Sequence, residues 1–396
     1  MNNKINTKYI LIQVFYQAIA SVAWGFGIYS LMARGFDSGQ AGLCMAFSNV
    51  VSLVLQPAAS NYIDNSKKHT VFEVLVLEAL IMMVLFIANC YIHSAGLMLA
   101  TVFIFAFGIY SAVEPLINTI SSKFAGAGIE IEYSKARSAG SLSYAVMCII
   151  FGRLTVIYPY TVVLYGALLF AVSLILTIIL IRKDYGEVKD REVKKIKEKD
   201  ISYLEFIKNN KNFMVLCLFA TGIFFGYTCI DNFMLLVTEE VGGNSGDMGS
   251  ILGFKAVVEG IAIFFFVKLR KKISLEWMLK ICAIAFLLKS IATSLSPNVF
   301  ALYVTQLLQM ASFAFYMPSM VEYVNTYLNP KEVTRGQAMI TMTLIFATMF
   351  SSSIGGNVAN IFGTKSMEWL ATFVTLFASA GFYLTVKSLF KNKRTS

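Results

Sequence analysis

Two neighbouring stretches carry residue types that can recognise a polar solute. Tyr110 and Glu114 are four apart and share one face of a helix. Arg137, Ser141 and Tyr144 follow i, i+4, i+7 spacing on one face of the next. Glu114 lies well inside one apolar run, and Arg137 stands at the mouth of the following one. An ionisable side chain at membrane depth costs at least about 2.5–3.5 kcal/mol, so it lines a cavity and takes a partner. A carboxylate, a guanidinium and an aromatic ring aimed at one cavity can bind a polyol by forked hydrogen bonds and stacking. The competing reading is a purely structural Glu114–Arg137 pair.

Further charges lie inside apolar runs. Glu259 stands among Val, Ile and Phe, where desolvation favours its protonated form; a carboxyl that binds and releases a proton is what a proton-coupled carrier needs. The alternative is a constant pair with Lys255, four residues earlier. Asp231 could instead hold Lys255 across a helix interface, and Lys289 sits mid-segment, which favours an interior role over snorkelling. The carriers weighed for a coupling proton are therefore Glu259, Asp231, Lys255 and Lys289, with sodium as the alternative ion.

The elements that must position these residues are membrane helices. The chain has 396 residues, 57% hydrophobic and only 14% charged, with a mean hydropathy of +0.68. Soluble domains carry about 25% charged residues. A span needs about 20 apolar residues, and twelve can be placed, near 9–33, 38–62, 70–92, 95–120, 137–158, 160–182, 213–236, 247–268, 275–295, 298–325, 337–361 and 366–388. The expected fold is an all-α polytopic membrane protein of two pseudo-symmetric six-helix halves, 1–182 and 213–396, joined by a charged linker at 183–212.

The net charge of +10 is topological. With the N-terminus inside, Lys and Arg collect in cytoplasmic segments and leave little outside beyond Arg34, Arg153 and Lys365, which places both termini in the cytoplasm of a cell whose cytoplasmic membrane holds the chain. Nucleic acid is not an expected partner; membrane lipid and a small solute are, and a monomer is the expected state. Six cysteines lie inside apolar runs with no C-x-x-C spacing and read as small buried hydrophobes. The first run is span-length and carries Gln13 and Gln17, so it reads as a transmembrane helix, not a cleaved signal. Gln13, Gln17, Ser21 and Trp24 form one stripe on it, bordering either the cavity or a neighbouring helix.

The halves echo one another. Tyr110, Val113-Glu114 and Asn118-Thr119 in the fourth helix match Tyr316, Val321-Glu322 and Asn325-Thr326 in the tenth. Carriers built from two repeats show symmetry of this kind.

These features resemble the major facilitator superfamily, and within it the lactose-permease-like sugar and proton symporters. Leu53-Val-Leu-Gln56-Pro57 with Asn61-Tyr-Ile-Asp64 is similar to the second helix and the following loop motif, and by that resemblance Asp64 is the gating carboxylate. Ala112-Val113-Glu114 and Lys135-Ala136-Arg137, continuing to Ser141 and Tyr144, are similar to the permeases' sugar-binding glutamate, arginine and stacking aromatic, with Tyr144 where those have tryptophan. Glu259 resembles the second carboxylate of that site, and Lys289 stands like a functional arginine of the ninth helix. Where the tenth helix of that group carries a titrating His and Glu, this chain has Gln309 and Ser312, which with Tyr316 are expected on one polar face.

The resulting expectation is a secondary transporter working by alternating access. Its solute, a saccharide or glycoside, would lie near Glu114, Arg137, Ser141, Tyr144 and Trp24 in one half and Glu259 with Gln309 in the other. Nucleosides, aromatic acids or an exported amphiphile are the alternatives on the same fold, and a non-transporting ligand sensor is the alternative of another class. No H-E-x-x-H, G-x-S-x-G or Walker loop is present, so no enzyme, metal or cofactor is expected.

Overall fold

The computed structural model of the chain describes residues 2–66, 69–188 and 202–392. It is all-helical there. By internal packing the chain divides into two compact units, Met1–Ile196 with Ser245–Ala256, and Lys197–Asn244 with Val257–Ser396. Ten described helices are long and apolar enough to cross a membrane. Two more segments, Asn2–Met32 and Leu275–Ser294, complete twelve.

The first unit begins with α1 (Asn2–Ala20), a π-helical turn (Ser21–Gly25) and α2 (Gly27–Met32), which together make the first span. The others are α3 (Ser38–Asn65), α4 (Val71–Tyr91), α5 (Leu97–Gly126), α6 (Tyr133–Ile157) and α7 (Thr161–Gly186). Helix starts follow local chemistry. Asp37 accepts from the Gln40 backbone N–H (2.8 Å) while Gln40 answers from its side chain, and Thr70 with Glu73 repeats this capping box at α4. Just beyond α2, Arg34 is buried. Its Nη1 donates to Asn89 Oδ1 (2.6 Å), its Nε to the Ser30 carbonyl (2.7 Å), and the guanidinium lies over the Tyr160 ring. Burial pulls it down to about 10, so it stays charged at neutral pH.

Within this unit α1 packs on α6 and α7, and α5 on α3 and α4. Glycine sets the closest approaches. A Cβ at Gly108 would sit 2.6 Å from Val51, and one at Gly140 would sit 2.9 Å from Gln17 and 3.0 Å from the Gln13 carbonyl. Gly152 of α6 meets Gly249, in the opening half of α11 (Ser245–Arg270), backbone to backbone, with a Cβ at Gly249 only 2.3 Å from the Cys148 carbonyl.

The second unit holds α8 (Tyr203–Asn209), α9 (Lys211–Asn232), α10 (Met234–Glu240), the rest of α11, α12 (Leu275–Ser294), α13 (Val299–Gln306), α14 (Phe313–Tyr327), α15 (Val333–Phe362) and α16 (Thr364–Asn392). Here α16 packs on α9 and α12, and α15 on α9. The core is aromatic: Phe224, Phe286, Tyr316 and Phe382 meet edge-on or tilted at centroid distances of 4.9–6.1 Å. Gly363, at φ +86°, ends α15 and turns the chain into α16, a conformation open to glycine at little cost. Of the expected linker, residues 189–201 lie outside the described part, as do Lys67 and Lys68.

Three spans are broken. The first opens into the π turn at Ser21–Gly25 and leaves helical geometry at Phe26 (φ −119°, ψ 7°). The seventh bends at Phe233, between α9 and α10. In the tenth, α13 gives way to a 3-10 turn at Leu307–Gln309, and Ser312 takes φ −89°, ψ −99°. The span bounds read from the sequence do not mark these breaks. They also remove the common face assigned to Gln309, Ser312 and Tyr316: Tyr316 is buried in the aromatic core, 1% exposed, and is not part of a polar wall.

Candidate functional site

In the first unit, α5 carries Glu114 and α6 carries Arg137. Gly140 lets α6 approach α1 closely, one turn from Arg137. Arg137 Nη2 stands 3.3 Å from Glu114 Oε1, and both side chains are about two-fifths exposed. Arg137 Nη1 is buried and has no hydrogen-bond partner in the protein. The pair is thus in contact but unsaturated, with Arg137 Nη1 left without an acceptor in the protein.

Around it lie further polar and aromatic groups. Gln13 Nε2 donates to Asn118 Oδ1 and to Tyr9 Oη, each at 3.2 Å. Tyr110, expected to face the cavity, is instead buried and stacks on Tyr16 with ring centroids 4.8 Å apart and planes within 14°. Ser141 and Tyr144 are half-buried on α6. Trp24, in the π turn, lines a small recess with Ala23, Met45, Ser48, Phe107 and Ser111. Ser111 is three residues before Glu114, on the same side of α5.

In the second unit a hydrogen-bonded network joins four helical segments. Lys289 Nζ donates to Gln309 Oε1 at 2.6 Å. Gln309 Nε2 donates to Glu259 Oε2 at 3.0 Å and to Tyr227 Oη at 3.2 Å. The Lys289 ammonium also lies 5.2 Å from the centroid of the Tyr227 ring. Gln309 is fully buried and Lys289 nearly so. The amide therefore links a cation to a carboxylate, its oxygen toward one and its nitrogen toward the other, which fixes its orientation. Gln309 is the last residue of the 3-10 turn that follows α13 in the broken tenth span. A recess beside the network is lined by Ile223, Tyr227, Ile230, Asp231, Met234, Phe286, Lys289, Ser290 and Thr293.

The structure thus brings Glu114 to Arg137, and Glu259 to Gln309 and Lys289, with Asp231 on the wall of the Lys289 recess. Lys255 is buried on α11, four residues before Glu259. Asp64 lies in the last turn of α3, and its side chain is outside the described part. Tyr227 was not anticipated: it is one aromatic among many in α9, and nothing in its spacing marks it. Among the described residues no group of three or more His, Cys, Asp or Glu side chains could hold a metal ion.

Twelve spans, broken helices at polar clusters and an apolar exterior define a membrane transporter of the major facilitator fold. The chain belongs to the MFS_1 like family, whose model matches residues 7–372. It is 25% identical over 146 residues to a protein described as a putative sugar efflux transporter from Deinococcus radiodurans. That match covers 37% of this chain and spans 37% of the relative's length. Among solved structures, the nucleoside transporter NupG superposes with a TM-score of 0.77 at 15% identity, covering 98% of this chain and 99% of that one. A bacterial homologue of the human lysosomal transporter Spinster, inward-facing and unoccupied, gives 0.72 at 13% identity, with 98% of both chains covered.

Proposed function

We propose that this transporter moves a saccharide or glycoside across the cytoplasmic membrane together with a proton, with both termini in the cytoplasm. The observation that carries the reading is the unsaturated Glu114–Arg137 pair. A single 3.3 Å contact and a partnerless Nη1 suit vicinal hydroxyls, which accept from the guanidinium and donate to the carboxylate at once. Tyr144, half-buried on the same face of α6, offers an aromatic plane for a sugar ring, and Ser141 a hydroxyl.

Coupling is assigned to Glu259. Its carboxylate is held by Gln309, whose other end is held by Lys289, so protonating Glu259 weakens one end of the chain and lets the amide and the ammonium rearrange. Gln309 cannot itself titrate; Lys289, Asp231 and Lys255 are the charges that respond. A ligand drives transport only through different affinity for the two access states, and this network is where such a difference can arise. Asp64 is assigned a gating role. Export is the second reading, favoured by the name of the Deinococcus radiodurans relative.

The test is a pH electrode in a lightly buffered suspension of expressing cells, with di- and trisaccharides added one at a time. Alkalinisation with one sugar supports proton symport and names the solute. A flat trace with every sugar, despite confirmed expression, overturns the import reading and sends the assay to efflux from preloaded vesicles. Glu259→Gln is expected to abolish accumulation driven by a pH gradient yet keep exchange of internal for external solute. Full accumulation in that variant would place coupling elsewhere.

A further inference from the structure

A second acidic centre lies in the second unit, away from the Glu259 network. Glu368, the fifth residue of α16, is 0% exposed. Its Oε2 accepts from Lys365 Nζ at 2.9 Å, and its Oε1 is buried with no hydrogen-bond partner in the protein. Lys365 also donates to the Ser294 carbonyl at 3.3 Å and is itself more than one-third exposed. Among the described residues, the charges that act on Glu368 are Lys365, on its own helix, and Glu240 of α10.

A carboxylate with one oxygen left bare in a buried site is destabilising, since an unmet buried polar group carries a desolvation cost and a charged one a larger one. A glutamine would fill the same space without the charge. What adjoins Glu368 gives the acid a use. Thr372 is four residues on, along the same face of α16. Its Oγ1 lies 2.8 Å from Ser290 Oγ and 2.9 Å from Ser294 Oγ, both on α12. Ser294 Oγ in turn lies 3.3 Å from the Glu368 carbonyl. All three hydroxyl side chains are buried. Ser290 then lines the recess that also holds Lys289 and Asp231. Hydroxyls both donate and accept, so three in contact can hand on a proton that none of them keeps.

We propose that Glu368 is a second proton-binding group of this transporter, and that the hydroxyls of Thr372, Ser294 and Ser290 connect it to the recess beside Lys289. This rests on the proton-coupled reading above. The proton adds to Oε1, the oxygen without a partner, and the carboxylate becomes a neutral acid. Lys365 keeps its three hydrogens, loses its ion pair and retains the Ser294 carbonyl and solvent. On release, the acid turns about its own torsions to bring Oε1–H, which has no partner in the resting arrangement, to the Thr372 hydroxyl one turn along. Each hydroxyl oxygen takes one proton and passes its own hydrogen onward, Ser290 handing the last one to the Asp231 carboxylate or to water in the recess, so one proton moves and the Glu368 carboxylate is restored.

The test uses the full chain in lipid bilayers and follows, by infrared difference spectroscopy against pH, the carbonyl stretch of protonated carboxyl groups. Glu368→Gln is expected to remove one titrating band that Glu259→Gln leaves in place. The same band at full amplitude in Glu368→Gln overturns the proposal. Lys365→Gln is expected to raise the midpoint of that band, because the acid loses its counter-charge; an unchanged midpoint overturns it too, and decides the matter should Glu368→Gln fail to fold. Thr372→Val is expected to keep the band and slow its exchange in heavy water, and unchanged exchange would remove the hydroxyls from the path. Failure of solute-driven alkalinisation bears on the coupled reading alone and leaves the band to be read, so the two ideas fail separately.

Discussion

Glu114 and Glu322 occupy similar places in the two halves, each after a valine and shortly before an asparagine-threonine step (four residues for Glu114, three for Glu322), yet their surroundings are opposite. Glu322 is saturated. Arg270 Nε lies 3.1 and 3.0 Å from its two oxygens, and Nη2 lies 2.8 Å from Oε1, while Nη1 closes on the Ile273 carbonyl. Glu114 has one long contact, to an arginine with a buried nitrogen unpaired. A forked pair that engages all three guanidinium nitrogens is a clasp; the proposed binding role rests on the single contact at Glu114. The preceding tyrosines, four residues before Glu114 and six before Glu322, diverge as well. Tyr110 stacks flat on Tyr16, whereas Tyr316 meets Phe224 edge-on, and its buried hydroxyl has no partner. A similar run of residues is thus set as an open pair in one half and as a closed pair with tight packing in the other.

The largest expected effect tests the open pair. Glu114→Gln and Arg137→Lys should each weaken saccharide binding by about tenfold to a hundredfold, the loss of a charge-assisted hydrogen bond worth about 1.5–3 kcal/mol. Thermal stability should hardly change. Titration calorimetry with the sugar found active in cells would read the affinity, and an unchanged value in either variant would dissolve the contrast. The reverse is expected of Glu322→Gln. Its pair is about one-third exposed, so screening reduces its worth to roughly 1 kcal/mol, seen as a melting point lower by a few degrees with affinity intact. A loss of affinity there would make both glutamates part of the site. The smallest effect belongs to the tyrosines. Tyr316→Phe removes a buried hydroxyl with no partner and should raise stability by up to about 1 kcal/mol, while Tyr110→Phe should bring no such gain. Equal melting curves for the two would remove that part of the asymmetry.

The topology was legible because a bilayer demands about 20 apolar residues per span and the chain supplies them in discrete runs. The Glu114–Arg137 proximity was legible too, since helical spacing put both on facing sides of a short connection. The breaks at Ser21–Gly25 and Leu307–Ser312 were not. Neither contains proline, and their backbone geometry is set by how neighbouring helices pack. The Gln309 bridge escaped for a related reason. Lys289 and Gln309 stand 20 residues apart on separate helices, and sequence spacing says nothing of the register between them. Nothing in the sequence marks Glu368, because burial of one face of a helix depends on its neighbours.

All six native thiols are buried and unlinked. Buried in apolar surroundings, thiols ionise poorly and react slowly. The molecule therefore comes with a silent background for chemical labelling. A pair of cysteines introduced at chosen exposed positions could carry spin or fluorescent reporters in the otherwise native sequence, and distances between them would follow the transport cycle without first stripping the protein of its own sulfur.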